Sequence, residues 1–255
     1  MNAHKLLEVA TYAGQILLES GAETYRVEET IGKIALAFGV KDTESFATPT
    51  GIIVSCTYKG ELHSIVKRIK SRGIDLNKID KINDLSRKIQ NNPMDLEELH
   101  ITLERINKGQ TYTEIHRYIS SALIAGAFAV VYGGSIHDFF PALIVGCGIN
   151  YVTLNLKALN LNTFFINCVG GAFAATIAIL LSYIDITSNI NETIIGSIML
   201  LVPGVAITNA ARDIIAGDIL AGLTRASEAF LIAVSIAVGT GFVISIWINF
   251  LGGTL

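Results

Sequence analysis

The chain has 255 residues, of which 51% are hydrophobic and only 16% charged, with a mean hydropathy of +0.52 and a formal net charge of −3. Charged residues supply about 25% of an ordinary soluble chain, so this composition excludes a protein solvated by water over its whole surface. The charge is also segregated: 16 of the 19 Lys and Arg lie between Lys5 and Arg117, leaving Lys157, Arg212 and Arg225, and the acidic residues divide 16 to 6 at the same boundary.

At the N-terminus, Lys5 is followed by a segment broken by Glu8, Thr11 and Gln15, which is not the uninterrupted apolar run of a secretory signal. The first half is therefore expected to stay cytoplasmic. Leu6, Ala10, Ala13 and Leu17 recur at helical spacing, as do Val27, Ile31, Ile34 and Phe38; Gly21 separates the two runs and Gly39 is a C-terminal cap. This predicts a helix pair. From Phe46 the pattern becomes β-rich, and residues 52–58, Lys59-Gly60 and residues 61–69 read as a hairpin. Ile79, Ile82, Leu85 and Ile89 mark a third helix. Asn92 and Pro93 read as the cap and first residue of a fourth, carrying Leu96, Leu99, Leu103 and Ile106.

Cys56, Cys147 and Cys168 are widely separated and are expected to act as small hydrophobes, not as disulfide or metal ligands. His4, His63 and His100 lack ligand spacing, and no glycine-rich phosphate loop follows a strand, so no metal, nucleotide or other cofactor is implied. The charge-rich stretch 67–81 is a solvated face or, beside a membrane, a face for anionic lipid. Glu19, Glu23, Arg26 and Glu28 concentrate charge around a helix expected to begin near Ala22. They either complement its dipole or form a cytoplasmic vestibule.

Five segments are apolar over about 17 to 25 residues, enough to cross a hydrocarbon core about 30 Å thick: 119–135, 138–156, 163–183, 193–211 and 226–250. The positive-inside rule places Lys157, Arg212 and Arg225 on the same side as the first half, with an external C-terminus. Small residues recur every fourth position in three of these: Ser121, Ala125, Ala129 and Gly133; Gly170, Ala174, Ala178 and Ser182; Ala229, Ala233, Ala237, Gly241 and Ser245. Such stripes permit close helix packing or line a pore.

The segment 203–225 breaks this pattern. Arg212, Asp213 and Asp218 would together oppose insertion into lipid by roughly 8 to 10 kcal/mol on insertion scales. Pro203 removes a backbone donor and Gly204 loosens the helix, so a break is expected, and broken backbone at membrane depth needs protein or a watery cavity around it. If the backbone beyond Gly204 is helical, Asn209 and Asp213 share a face, while Asp218, Gly222 and Arg225 form a stripe continuing to Glu228. Arg212 or Arg225 could then meet a carboxylate, and Asp213, Asp218 or Glu228 an ammonium or a proton. The alternatives are an interfacial loop whose ions pair locally, Arg225 with Glu228 for instance, and an aspartate acid–base pair of an enzyme.

The pieces SGAETYRVEETI (20–31), TPTGIIVS (48–55), RGIDLNKIDKINDLSR (72–87) and VPGVAITNAARDIIAGDILAGLTRASEA (202–229) resemble the threonine/serine exporter family, in the N-terminal-domain form also found in two-subunit succinate exporters. The resemblance covers nearly the whole chain. It implies a non-enzymatic subunit of a secondary transporter in the plasma membrane, exporting a small amino acid or a dicarboxylate along an ion or proton gradient. Its second motif falls on Pro203, Gly204, Asn209, Arg212, Asp213, Gly217, Asp218, Gly222, Arg225 and Glu228, and its first on Gly21, Ala22, Glu23, Arg26, Val27 and Glu28. Fused members continue into a second membrane domain, which implies a separate small polytopic subunit here and an oligomeric assembly. The expected architecture is a polytopic α-helical membrane protein with about five transmembrane helices (119–255), preceded by a cytoplasmic α+β domain (1–118). The substrate and the bilayer are the other expected partners, and nucleic acid is not one. The competing reading is a membrane-anchored binding or regulatory protein.

Overall fold

The computed structural model describes residues 2–92, 94–109 and 112–252. Its elements, in chain order, are α1 (Ala3–Glu19), α2 (Thr24–Ala37), β1 (Thr43–Thr48), β2 (Gly51–Tyr58), β3 (Glu61–Arg68), α3 (Leu76–Asn91), α4 (Leu96–Lys108), α5 (Glu114–Val131), α6 (Ile136–Ala158), α7 (Thr163–Tyr183), α8 (Ile190–Ile198), α9 (Gly204–Ala216) and α10 (Ile219–Leu251). They fall into two compact units, Met1–Gln110 with Gly204–Ser227, and Thr111–Pro203 with Glu228–Leu255. The polar segment that by sequence continues the apolar half therefore belongs to the first unit. A helix carrying Arg212, Asp213 and Asp218 finds polar partners there that an apolar bundle lacks.

In the first unit, Asn2 opens α1 by accepting from the backbone N–H groups of His4 and Lys5 at 3.0 and 3.3 Å. Leu6, Leu7, Ile16, Leu17 and Leu18 of α1, Ile31 and Ile34 of α2, Ile52 and Val54 of β2, Ile82 and Ile89 of α3, and Leu99 and Leu103 of α4 form one core. Each such side chain contributes about 1.5–3 kcal/mol by leaving water. The turn from α1 to α2 requires Gly21: its φ is +87°, and a Cβ there would stand 2.8 Å from the Gly73 carbonyl oxygen. Gly73 and Asp75 hold the same turn through N–H bonds to the Glu19 and Ser20 carbonyls at 2.8 and 3.0 Å. Gly39 follows α2, as its spacing predicts.

The hairpin is β2 and β3, paired antiparallel from Gly51↔Arg68 to Tyr58↔Glu61, with Lys59 and Gly60 both at positive φ in the connecting turn. A third strand, β1, pairs with β2 in the order β1-β2-β3. Sequence pattern does not reveal it because TESFAT turns its one large apolar residue, Phe46, outward and buries only Ala47. The fourth helix starts later than its cap signal suggests. Asp95 is the N-cap of α4 and Asn92 ends α3, while Pro93 lies outside the described residues. Glu97 and Glu98 in the first turn of α4 suit its dipole.

The second unit contains α5, α6, α7, α8 and the part of α10 from Glu228. Among the described residues, three helices are long and apolar enough to cross a membrane: α6, α7 and α10. The bounds of α7 match the expected span residue for residue, whereas α10 extends the expected 226–250 backwards to Ile219. The segment 119–135 is α5, which begins earlier, with Glu114 and Arg117 in its first turn, and ends at Val131. The segment 193–211 is not one helix. Leu200 and Leu201 donate to the Ser197 and Ile198 carbonyls at 3.3 and 2.8 Å, a tightened turn that ends α8, and α9 starts only after Pro203. At 9 residues, α8 is about 13 Å long, under half of a bilayer core. The external C-terminus expected from five crossings concerns residues outside the described ones.

Small residues do pack these helices, though not all on the stripes that spacing picks out. Ala125 and Ala129 of α5 and Gly170, Ala174 and Ala178 of α7 are buried. On α10, Ala233, Ala237 and Gly241 are exposed, and Ser235, Ile236, Gly239 and Thr240 are buried instead. The helix has small residues on several faces, so spacing alone cannot choose among them. At Gly239 a Cβ would collide with the Cys168 carbonyl oxygen of α7, so only a glycine allows this approach.

One buried carboxylate ties the unit together. Asp138, in the first turn of α6, accepts from the N–H groups of Ser188 and Asn189 at 2.9 Å, from Asn189 Nδ2 at 2.8 Å and from Thr187 Oγ1 at 2.9 Å. It also accepts from the backbone N–H and hydroxyl of Ser135, both at 2.8 Å. Thr187 Oγ1 in turn lies 2.8 Å from Thr193 Oγ1 of α8. Replacing Asp138 with Ala strands these donors, and hydrogen bonds to a charged group are worth about 1.5–3 kcal/mol each. Asp138→Ala is thus expected to lower the thermal unfolding temperature of the detergent-solubilised protein sharply, and Gly239→Leu to do so by overpacking worth about 1–3 kcal/mol.

Candidate functional site

The site is built where α9 and the first two turns of α10 meet the N-terminus of α2. Because 3.6 residues make a turn, Asn209 and Asp213 lie on one face of α9, and both are buried. Gly217, at φ +100°, reverses the chain between α9 and α10, and the Asp218 N–H closes the turn on the Asp213 carbonyl at 2.8 Å. The reversal brings Arg225, two turns into α10, back onto Asp213: Arg225 Nε lies 2.9 Å from Asp213 Oδ2, and their side chains are 6% and 0% exposed. The two helical stripes of the sequence pattern thus converge on one ion pair.

The other half of the site comes from residues 21–28. Asn209 Nδ2 donates to the Gly21 carbonyl and Arg225 Nη2 to the Ala22 carbonyl, both at 2.7 Å. Thr24, fully buried at the start of α2, donates to Asp213 Oδ1 through its backbone N–H at 3.1 Å and its hydroxyl at 2.9 Å. The same hydroxyl lies 3.1 Å from Asp218 Oδ2. Glu23, the N-cap residue of α2, bridges two guanidinium groups: Arg26 Nε at 2.8 Å and Arg212 Nη1 at 2.6 Å. Burial pushes the Glu23 carboxyl up, but the hydrogen bonds from Arg26, its own N–H and Arg212 outweigh this and hold it at about 2. Glu28 accepts from the Ala47 N–H at 2.7 Å. Burial raises its pKa, the Ala47 bond opposes the rise, and the Asp218 and Asp213 charges add to it.

Beside this cluster is a cavity of about 580 Å³, bordered by Glu23 and Arg26 of α2, Asp80 and Asn83 of α3, and Thr208, Asn209 and Arg212 of α9. The sequence-derived residues are thereby sorted. Asn209, Arg212, Glu23 and Arg26 face the cavity, as does Gly204 at the start of α9. Asp213, Asp218, Arg225 and Glu28 form the adjoining polar cluster. Glu19 is the last residue of α1, where the helix dipole does not favour a carboxylate, and accepts from Gln15 Nε2 at 2.7 Å. Glu228 and Pro203 belong to the second unit. The dipole account of the acidic run also weakens, since α2 starts at Thr24 and has no acidic residue in its first turn. Thr24 was not legible as a site residue, because nothing in a Glu-Thr step announces a partner 189 residues away. Asp80 and Asn83 had only the family-like run 72–87 to mark them.

A buried charged site, in a chain among whose described helices three are long and apolar enough to cross a bilayer, defines a helical membrane protein of the transporting kind. Residues 8–247 match the family described as "Putative threonine/serine exporter" (ThrE), and the chain belongs to it. It is 23% identical over 238 residues to the "Probable succinate transporter subunit YjjP" of Escherichia coli (strain K12), covering 92% of this chain and 91% of that one. It is also 25% identical over 245 residues to the "Threonine/serine exporter" of Corynebacterium glutamicum and 22% over 245 residues to the "Probable threonine/serine exporter" of Mycobacterium tuberculosis. Those alignments cover 92% and 94% of this chain but only 50% and 46% of the exporters. The relatives are transporters, not enzymes. No solved structure is significantly similar to the chain.

Two outcomes follow from the charges. Asp213 and Arg225 are both buried, so replacing either alone leaves the other uncompensated; Asp213→Ala or Arg225→Ala is expected to cost about 3–5 kcal/mol, read as a lowered chemical-denaturation midpoint. The Glu23 pKa is depressed from 4.5 to about 2, so its contribution is complete above about pH 5 and is lost as pH falls toward 2. Glu23→Gln should accordingly unfold more readily than wild type at pH 7, with the difference narrowing as unfolding is measured at progressively lower pH.

Proposed function

We propose that this chain is a subunit of a gradient-driven exporter of small polar metabolites in the plasma membrane, and that its solute is met at the Glu23–Arg212 cavity. The observation that carries this reading is the fold of α9: the segment too polar for lipid closes one wall of a cavity with both signs of charge on its rim. At about 580 Å³ the cavity is within the 300–1,000 Å³ range of small-molecule sites. Its family, and the transporter names of its relatives, support the same reading.

The balance of charge favours a zwitterion over a dicarboxylate. Arg26 and Arg212 each retain guanidinium donors beyond those given to Glu23, enough for one solute carboxylate. Asp80, on the opposite helix, suits an ammonium, and a second carboxylate would be repelled there. Thr208 and the Oδ1 of Asn209, whose Nδ2 is committed to Gly21, can meet a hydroxyl. A hydroxylated amino acid such as serine or threonine satisfies all three.

In the membrane half, we read α5 and α8 as embedded beside α6, α7 and α10, with Lys157 and the first unit on the cytoplasmic side. The word "subunit" in the name of the Escherichia coli relative, and the doubled length of the matched exporters, support a second polytopic membrane subunit as partner.

Efflux of labelled serine, threonine and succinate from membrane vesicles, with and without the neighbouring small polytopic protein, tests this. Serine or threonine efflux is expected, reduced about tenfold or more by Arg212→Gln, whose side chain is 56% exposed and whose loss should cost the fold at most about 1 kcal/mol. Efflux of none of the three sinks the exporter reading, and efflux of succinate alone sinks the zwitterion. Activity retained after the apolar bundle is exchanged for an unrelated anchor would make the chain a tethered binding protein instead.

A further inference from the structure

The two edges of the three-stranded sheet are finished differently. At β1 the edge is covered: α2 packs against it, the Glu28 carboxylate accepts the outward Ala47 N–H at 2.7 Å, and Ser45 Oγ donates to the Glu28 carbonyl at 3.5 Å. At β3 the edge is open. Lys59 and Gly60 form a two-residue loop with both φ positive, so Tyr58 and Glu61 close the hairpin as a bonded pair, and every second residue from Glu61 bonds β2. The Ile69 N–H on the Thr50 carbonyl at 3.0 Å keeps that alternation at the far end. Leu62, Ser64 and Val66 therefore turn their N–H and C=O groups away from β2, and no group among the described residues of the first unit bonds them there.

Their side chains share the sheet face turned away from the core. Leu62 and Val66 are 73% and 74% exposed, and Val66 continues a row with Ile53 and Phe46. A free edge is normally blunted by proline, lysine or a bulge, and residues 62–66 carry none of these.

The partner that fits this edge is the same edge. Laid antiparallel on a second copy with Ser64 opposite Ser64, the run ELHSIVK (61–67) sets Leu62 against Val66, His63 against Ile65 and Glu61 against Lys67. The bonded pairs in that register are the free ones, 62 with 66 and 64 with 64, giving about six backbone hydrogen bonds. Glu61 is 81% exposed, its nearest cation being His63 at 3.9 Å, and Lys67 has no carboxylate partner among the described residues. Sliding by two residues brings Lys59 against Lys67 or Arg68 against Leu62, and an odd shift opposes free groups with groups already bonded to β2.

We propose that β3 is an interface between two copies of this chain, joined edge to edge about a twofold axis at Ser64 so that two three-stranded sheets become one. The apolar row then runs from Phe46 through Ile53 and Val66 onto Leu62 of the second copy, and two Glu61–Lys67 pairs fix the register. None of these residues borders the Glu23–Arg212 cavity, so the inference stands apart from the transport reading.

Disulfide cross-linking of the purified full-length chain reads the register, with wild type as the background for its three native cysteines. Ser64→Cys is expected to form a covalent dimer under mild oxidation, because opposed bonded residues stand about 5.5 Å apart at Cα. Glu61→Cys, on the same strand but roughly 20 Å from its copy, should not. By sedimentation, Glu61→Lys and Lys67→Glu should each weaken dimerisation about tenfold, and the double reversal should restore it. Val66→Lys, on an exposed site, should leave a monomer that melts at the wild-type temperature. Equal linking of Ser64→Cys and Glu61→Cys, failure of the double reversal to rescue, or a dimer undiminished in Val66→Lys would overturn the proposal, as would a wild type monomeric at every concentration. A Ser64→Cys link that forms in phosphatidylcholine vesicles and is lost when phosphatidylglycerol is included would make the face a lipid surface instead.

Discussion

The first unit depends on a buried ion pair. Asp213 sits ten residues beyond Pro203 and twelve before Arg225, on helices that a glycine turns back on themselves. Either charge alone would be costly away from water, and together they still need their remaining valences filled. The chain meets that need with backbone: the Ala22 carbonyl for Arg225, the Thr24 N–H for Asp213, and nearby the Gly21 carbonyl for Asn209. Those three groups are accessible because α1 ends at Glu19 and α2 does not begin until Thr24, leaving a turn whose polar atoms are not consumed by helix. Gly21 makes the turn, residues 73–75 hold it, and the cavity beside it inherits its shape.

The second unit meets a different constraint. Apolar side chains gain little by leaving lipid for one another, so cohesion comes from close approach and from satisfied polar groups. Glycine at 239 and alanines at 125, 129, 174 and 178 allow the approach. Asp138 provides the second kind of cohesion, joining the start of α6 to the segment that leads into α8 through bonds from 187–189. The brevity of α8 follows from Pro203 and the tightened turn before it, and the same proline frees the next helix to begin afresh at Gly204.

Much of the site was visible before the structure. Local chemistry announces itself: a proline and a glycine beside a charged run mark a break, and a lipid-facing helix cannot hold Arg212, Asp213 and Asp218. The i, i+4 relation of Asn209 and Asp213 is a property of any helix and appears in α9 unchanged. Partnership across 189 or more residues is another matter. No pattern in residues 20–30 specifies that Thr24 meets Asp213 or that Glu23 bridges Arg26 and Arg212, because Thr and Glu there are equally compatible with a plain helix start. The stripe on α10 shows the same limit within one helix, where several faces carry small residues and only the neighbour α7 selects one.

The sequence by itself determined what some stretches could not be: not a soluble second half, not an apolar 203–225; that 193–211 is two helices and not one span was decided by the structure. It also determined the period of most helices and the ends of a few, such as α7 and the close of α2 at Gly39, since hydrophobic repeat, glycine and proline act over a few residues. Only the tertiary structure decided that the polar segment joins the N-terminal unit, that Arg225 turns to Asp213, and that Thr24 stands between two aspartates. Those outcomes rest on whether a buried charge finds a donor or acceptor within about 3 Å, a condition set by distant parts of the chain and written in no single stretch of it.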